Sequence, residues 1–324
     1  MTLQLAEIAP PGAPAAAAAY PAIRIIPGRW IAAGVALALG GVLLLMLRAG
    51  LTIRLGDPVN LLIASLAALA VALRSGYRAP RTERQRIARD AAEYFGVFVL
   101  LCLLGAVASY AVAATTHGWV DETLHRFDLA VGFDWLAWYG LVAAHPGLQI
   151  LSRAAYGSIF VTPALLLGHF ARAGRTGEAR RFIAAFWLAA VITLTLFWFM
   201  PARGALDFLW HGPIPYLPMS ELYQADIIPL LRDSAMRQVD LGQIRGLVGP
   251  PSFHAACAIL FIGTAWRVPR VRRWLVTLNL AMIAAIPVEG THYLMDILLG
   301  AAVALLALWI AARLTAPRGQ ELTG

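Results

Sequence analysis

The sequence predicts an all-α protein, a polytopic membrane helix bundle with about eight transmembrane helices. Apolar residues make up 60% of the 324-residue chain and charged residues only 14%, against about 25% charged residues in an ordinary globular domain. Because this balance cannot be solvated as a sphere, much of the apolar surface must face lipid. Arginine-rich and acidic loops also alternate between the apolar segments, which is typical of membrane proteins.

Eight segments are long enough, or nearly so, to cross a bilayer, which requires about 20 apolar residues. They are 29–47, 57–74, 93–114, 148–171, 182–200, 252–267, 272–289 and 292–313. A further stretch, 127–146, is interrupted by Asp134 and ends at Pro146. We expect an interfacial helix or half-helix there, with its aromatic residues at headgroup depth.

Loop charges predict the orientation. The loops 74–90, 171–181 and 267–273 hold six, four and four arginines, and the positive-inside rule assigns them to the cytoplasm. Eight spans then place both termini in the cytoplasm. The high alanine and arginine content suggests a GC-rich bacterial genome, so the expected location is the bacterial inner (plasma) membrane.

This topology divides the chain into four parts. They are a flexible cytoplasmic tail (1–28), two transmembrane helices with an arginine-rich cytoplasmic loop (29–92), a six-helix core (93–313) and a cytoplasmic tail (314–324). Within the core, residues 201–250 form a long extracytoplasmic segment rich in proline, glycine and mixed charge. Such long connections are usually functional or disordered.

Composition also excludes some classes of function. The net charge is +8 and every basic residue is arginine, but no basic stripe interleaves with stacking aromatic residues, so we expect no nucleic-acid partner. Cys102 and Cys257 both lie in apolar segments, which argues against a structural disulfide or a thiolate metal site. No metal-binding cluster is evident, and no cofactor is expected.

The first motif that carries chemistry is GPPSFHAACA at 249–258. Ser252 is a good N-cap for the helix that follows the two prolines. Free N–H groups at a helix N-terminus bind phosphate, and His254 would lie beside an anion held there. The alternative interpretation is a capped helix with an incidental interfacial histidine.

The second motif is EGTHYLMDILLG at 289–300. His292 and Asp296 are four residues apart, so they share one helix face. A carboxylate there can hold one imidazole nitrogen and leave the other free to attack. The alternative is a helix-stabilising pair near the headgroups. Because the chain crosses the membrane twice between the motifs, we expect both histidines at the same face of the membrane.

The two motifs resemble the second and third signatures of the type 2 phosphatidic acid phosphatase superfamily. PSFHAA and THYLMDILLG, with FMPARG at 199–204 and the region 243–246, are similar to its inositolphosphotransferase-like branch, which includes the fungal inositol phosphorylceramide synthases. The resemblance covers about residues 93–313. It implies that these residues form a six-helix catalytic core that acts on lipid phosphates without a metal ion.

The resemblance also implies residue roles. His292 would attack phosphorus and form a phosphohistidine, with Asp296 orienting it. His254 would protonate the departing oxygen and then activate the acceptor. Ser252 and Phe253, with nearby backbone N–H groups, would bind the substrate.

The chain departs from the phosphatase branch in its cations. That branch opens with a lysine-containing signature, whereas this chain has no lysine, and Ile286 stands where the branch has arginine. Another cation must balance the phosphate, because uncompensated charge is costly at low dielectric. The extracytoplasmic candidates are Arg203, Arg232, Arg237 and Arg245, of which we favour Arg245 and Arg203 for substrate binding.

The leading hypothesis is an extracytoplasmic lipid phosphatase or phospho-head-group transferase. Its partners would be a lipid phosphate, membrane lipids and an acceptor, either water or an alcohol such as inositol. One phosphohistidine step serves both outcomes, and the branch resemblance favours transfer. The alternatives are a proton-coupled transporter of lipids or small molecules that uses the His/Asp cluster, and an inactive lipid-binding relative. A transporter predicts charges at mid-membrane and inverted repeats, but the charges here gather at one interface.

Overall fold

A computed structural model describes residues 23–317, and most of these residues are helical. Predictions for residues 1–22 and 318–324 lie outside this range. The helices are α1 (Gly28–Ala49), α2 (Pro58–Gly76), α3 (Glu83–Ala113), α4 (Asp121–Ala130), α5 (Trp135–Ala144), α6 (Pro146–Gly157), α7 (Val161–Arg172), α8 (Thr176–Phe199), α9 (Ala205–Leu209), α10 (Tyr223–Arg232), α11 (Phe253–Ala265), α12 (Arg272–Glu289) and α13 (Leu294–Leu314). A short 3₁₀ turn, Ser158–Phe160, joins α6 to α7.

Six helical segments of the described chain are long and apolar enough to cross a membrane. They are α1, α2, α3, the continuous pair α6–α7, α8 and α13. The pair α4 and α5 bends by 90° and makes a seventh if it counts as one span. This architecture confirms the predicted all-α polytopic bundle.

Two of the eight predicted spans, which correspond to α11 and α12, do not meet this criterion of length and apolar composition. Helix α12 carries Arg272, Arg273 and Glu289, which lower its apolar character. Helix α11 has only 13 residues, or about 20 Å at 1.5 Å per residue, against about 30 Å of hydrocarbon. A helix of this length does not cross the hydrocarbon by itself.

The core of the bundle lies between α3, α8 and α11, where aromatic rings interlock. The Phe98 ring lies 4.6 Å from that of Phe186 and 5.9 Å from that of Phe182, which in turn lies 5.9 Å from Phe261. Such ring pairs stabilise a core beyond their area burial. In contrast, no residue of the fully described helix α2 is buried, so lipid must cover its leucines.

The segment 201–250 is structured rather than a bare loop. It contains α9, α10 and the strand β2 (Gln238–Val239), which pairs in parallel with β1 (Thr52–Ile53) between α1 and α2. It is also fixed to α3, where the Ser109 Oγ accepts a hydrogen bond from the Leu247 N–H at 3.1 Å. The N-terminal helix pair and the core are thus connected at this end.

The arginine-rich loops meet at the other end of the bundle. The Arg86 guanidinium donates to the carbonyls of Ala171 and Arg172 at 3.0 and 2.9 Å. The Arg175 guanidinium donates to the Arg267 carbonyl at 3.5 Å. All three predicted cytoplasmic loops therefore lie on one side of the molecule.

Candidate active site

The start of α11 is fixed between its own cap and α13. The Ser252 Oγ accepts a hydrogen bond from the Ala255 N–H at 3.4 Å, and the Ser252 N–H donates to the Asp296 carbonyl at 3.0 Å. A Cβ added at Gly300 would lie 2.3 Å from the Ser252 carbonyl oxygen. Because only glycine permits this approach, the first turn of α11 lies directly against α13.

Helix α13 presents the second motif. His292 Nδ1 lies 3.2 Å from Asp296 Oδ2, and the same carboxylate oxygen accepts from the Tyr293 N–H at 3.2 Å. His292 is 4% exposed and Asp296 is 2% exposed. With Nδ1 donating to the carboxylate, Nε2 keeps its lone pair for attack. The expected contact between His292 and Asp296 is therefore present, but His292 lies in the turn before α13 rather than on the helix face that the sequence predicted.

His254 is held by a residue from α6. The Tyr156 ring stacks on the His254 ring with centroids 4.0 Å apart and planes 13° apart, and the Tyr156 hydroxyl lies 3.2 Å from His254 Nδ1. The stacking and the hydrogen bond together fix the orientation of the imidazole, and with it the direction in which Nε2 points.

His292 and Tyr156, the partner of His254, meet at Gly290. A Cβ added at Gly290 would lie 2.6 Å from His292 Cδ2 and 3.1 Å from the Tyr156 hydroxyl. His254 and His292 are also near enough for their charges to interact. The structure thus brings His254, His292 and Asp296 together, with Ser252 beside them.

The turn before His292 is strained and supported from behind. Thr291 has φ +50°, which is uncommon for a β-branched residue. Its carbonyl accepts from the Ala205 N–H at 2.8 Å. Gly204, at φ +104°, lies so close that an added Cβ would be 2.7 Å from Thr291 Oγ1. The final glycine of the FMPARG sequence therefore allows this segment to pack against the turn.

Two buried carboxylates of α4 complete that support. Asp128 accepts hydrogen bonds from the N–H groups of Leu294 and Met295 at 2.9 and 3.1 Å, and so caps α13 from another helix. Asp121 accepts from the Tyr293 hydroxyl at 3.0 Å and from the N–H of Arg203 at 3.0 Å. Sequence reasoning assigned neither residue to this task.

A third buried carboxylate, Glu289, fixes the strap, which we define as residues 216–220. Glu289 is fully buried and accepts from the Tyr216 hydroxyl at 2.6 Å, from the Met219 N–H at 3.1 Å and from the Ser152 hydroxyl. Burial, followed by the hydrogen bond to Glu289, raises the pKa of Tyr216, which therefore stays protonated and donates. The strap lies near the site, because Met219 Cε would be 3.7 Å from a Cβ added at Gly157.

Arg203 and Arg245, the two arginines favoured for substrate binding, lie outside the cluster of His254, His292 and Asp296. The Arg203 guanidinium lies 5.3 Å from the Trp119 ring and 3.8 Å from Asp207. Only the backbone N–H of Arg203 contacts the residues around His292, through its hydrogen bond to Asp121. Arg245 pairs with Glu221 at 3.1 Å and lies 3.5 Å from the Met219 carbonyl, at the edge of the strap.

The remaining predicted residues have other contacts. Arg232 lies 4.1 Å from the Trp119 ring, and the Arg237 side chain lies against Gly50. The Phe253 ring contacts Phe186 of α8 at 5.5 Å. Within residues 23–317, no group of three or more His, Cys, Asp or Glu side chains is arranged to hold a metal ion.

Comparison with known families supports the superfamily that the motifs resemble, but not the inositolphosphotransferase-like branch. A sequence profile of the PAP2 superfamily matches residues 122–310, more than half of the chain. The chain belongs to the PAP2 superfamily. This membership supports a phosphatase-type or phosphotransferase-type function. No match was found among curated proteins, and none among solved structures.

Proposed function

We propose that this PAP2 superfamily member is a membrane enzyme that removes a phosphoryl or phospho-head-group from a lipid and passes it to an acceptor through phosphohistidine. The observation that supports this most is the close approach of His292 and the Tyr156–His254 pair at Gly290. A nucleophile and a separate acid/base are what a two-step transfer requires.

In the first step, His292 Nε2 attacks phosphorus while the bond from phosphorus to the lipid oxygen breaks. His254 gives its proton to the departing oxygen, and Asp296 stabilises the imidazolium that develops on His292. The N–H groups of the first turn of α11 face the transferred phosphoryl oxygens. Arg245, at the edge of the strap, is the cation we propose for the incoming lipid phosphate.

In the second step, the acceptor oxygen attacks the phosphohistidine, its proton passes to His254, and the phosphorus–nitrogen bond breaks. Water as acceptor gives phosphate release, and an alcohol gives a new ester. The burial of His292 and Ser252 and the fixed strap beside them favour an alcohol such as inositol, because an enclosed site excludes competing hydrolysis. This agrees with the resemblance to the inositolphosphotransferase-like branch.

We place the site on the extracytoplasmic side of a bacterial inner membrane, with both termini in the cytoplasm. The supporting observation is the meeting of the three arginine-rich loops at the end of the bundle opposite His292.

The proposal is tested with purified protein and a panel of lipid phosphates and phospholipids, with and without inositol. Phosphate release and head-group transfer are both measured. His292→Ala should abolish both products, whereas His211→Ala, an exposed histidine in the segment 201–250, should retain full activity. An active His292→Ala protein would refute the nucleophile assignment, and a panel without any turnover would favour the transporter.

A further inference from the structure

A cavity lies far from the candidate active site. It has a volume of about 660 Å³ and lies between α1, α3 and α8, within the size range of ligand pockets. Leu314, the last residue of α13, lines it, whereas His292 precedes the first turn of that helix. A helix of 21 residues separates the two by about 30 Å.

The walls of this cavity are apolar and come from three membrane-spanning helices. They include Ile31, Val35, Val97, Leu101, Ile183 and Leu188. Helices α1 and α8 approach closely at Gly34, where an added Cβ would lie 3.2 Å from the Trp187 ring. Because the walls belong to spanning helices, the natural occupant of the space is a hydrocarbon chain.

The rim of the cavity is cationic. Arg24 and Arg29 line it, and no Asp or Glu is among the lining residues that the structure describes. Arg24 is held in place, because its guanidinium donates to the Leu314 carbonyl and its N–H to the Thr315 carbonyl. Arg29 is exposed and forms no hydrogen bond or ion pair with residues 23–317. Its charge therefore remains available to an anion at the rim.

We propose that this cavity binds one anionic phospholipid of the cytoplasmic leaflet. An acyl chain occupies the space between α1, α3 and α8, and the phosphate of the headgroup pairs with Arg29 and Arg24. Basic pockets between transmembrane helices on the cytoplasmic side are suited to anionic headgroups. The lipid fills the gap between α1 and the core. This site is independent of the proposed catalysis.

The charge requirement is tested by native mass spectrometry of the delipidated full-length protein. Phosphatidylglycerol and phosphatidylcholine with identical acyl chains are compared. We expect one phosphatidylglycerol to be retained in preference, and Arg29→Gln to lower its occupancy about tenfold, the loss of one charge-assisted contact. Arg48→Gln, on the same helix, equally exposed and near its opposite end, is the matched control and should bind as the wild type does.

The location is tested with phosphatidylglycerol that carries a photoactivatable group on its acyl chain. Crosslinks should map to the lining residues of α1 and α8, and Ala184→Phe, which fills the cavity, should abolish them. Val191→Phe, on the exposed side of α8, should leave them unchanged. Equal retention of both lipids, equal effects of the two arginine variants, or crosslinks outside the cavity would each overturn the proposal. So would crosslinking of the cavity to residues 1–22.

Discussion

At the scale of single residues, Tyr156 combines two contacts with His254. Its ring limits the tilt of the imidazole, and its hydroxyl contacts Nδ1, so the direction of Nε2 is fixed. Asp296 does the same for His292 through Nδ1. Each histidine of the site is therefore oriented by its own partner, one aromatic and one anionic.

This arrangement predicts a graded response at Tyr156. Tyr156→Phe keeps the stacked ring but removes the hydrogen bond, and it should lower kcat about tenfold with little change in KM. Tyr156→Leu removes both contacts and should lower kcat further. Steady-state kinetics and the pH profile of kcat are the measurements. Tyr77→Phe, at the far end of α2, should match the wild type, and equal activity of the Phe and Leu variants would contradict a positioning role.

Gly290 gives a steric prediction. In Gly290→Ala the new methyl group would lie 2.6 Å from His292 Cδ2, so the imidazole must move. A displacement of about 1 Å can cost about 100-fold in rate, and we expect at least this loss in kcat/KM. Gly105→Ala, in open space on α3, should keep wild-type activity. If Gly290→Ala is as active as the wild type, the reaction does not take place beside Gly290.

The residues that we propose as catalytic were easier to select from the sequence than the residues that position them. His292 and Asp296 are four residues apart, and Ser252 follows a proline pair, so local spacing was sufficient to select them. Tyr156 is 98 positions from His254, and Asp128 is 166 positions from the N–H of Leu294. Such pairings arise only when the helices pack, and no local period in one sequence encodes them.

At the scale of elements, the strap is fixed beside the site by a buried carboxylate. Tyr216 and Met219 are fastened to Glu289, which stands three residues before His292. Arg153 of α6 adds a hydrogen bond to the Tyr216 hydroxyl at 2.9 Å. Strap, α6 and the end of α12 thus form one unit around a buried carboxylate.

Replacing that carboxylate should loosen the unit. Glu289→Gln places an amide donor among groups that already donate, and a buried unsatisfied group costs about 1–3 kcal/mol. We expect a lower Tm and a larger share of hydrolysis relative to transfer, because water then enters the site. Thermal unfolding and product ratios measure the two effects. Glu122→Gln, an exposed residue paired with Arg126, is the control, and an unchanged product ratio in Glu289→Gln would show that the strap does not exclude water.

At the scale of the whole molecule, charge is divided between the two ends of the bundle. Arginine-rich loops join at one end, and the carboxylates that support the site lie at the other. Composition and loop charge were sufficient to predict this division. The pairing of β1 with β2 was not predictable, because two residues on each strand leave no recognisable pattern.

Labelling of single cysteines should establish the orientation. In a background with Cys102 and Cys257 replaced by alanine, His211→Cys should react with a membrane-impermeant maleimide on intact cells. Arg78→Cys, exposed in an arginine-rich loop, should react only after permeabilisation. The opposite pattern would place the site in the cytoplasm.

The 13-residue helix α11 has a consequence for the substrate's environment. Its first turn meets α13 at Gly300, about 9 Å along that helix from Leu294, and we therefore expect the phosphorus of the proposed substrate to descend below the headgroup plane of its own leaflet. The depth of that descent depends on how thick the surrounding bilayer is. Turnover should rise in vesicles of shorter-chain phospholipids, where headgroups already lie level with His254. The turnover rate should therefore depend on the thickness of the membrane.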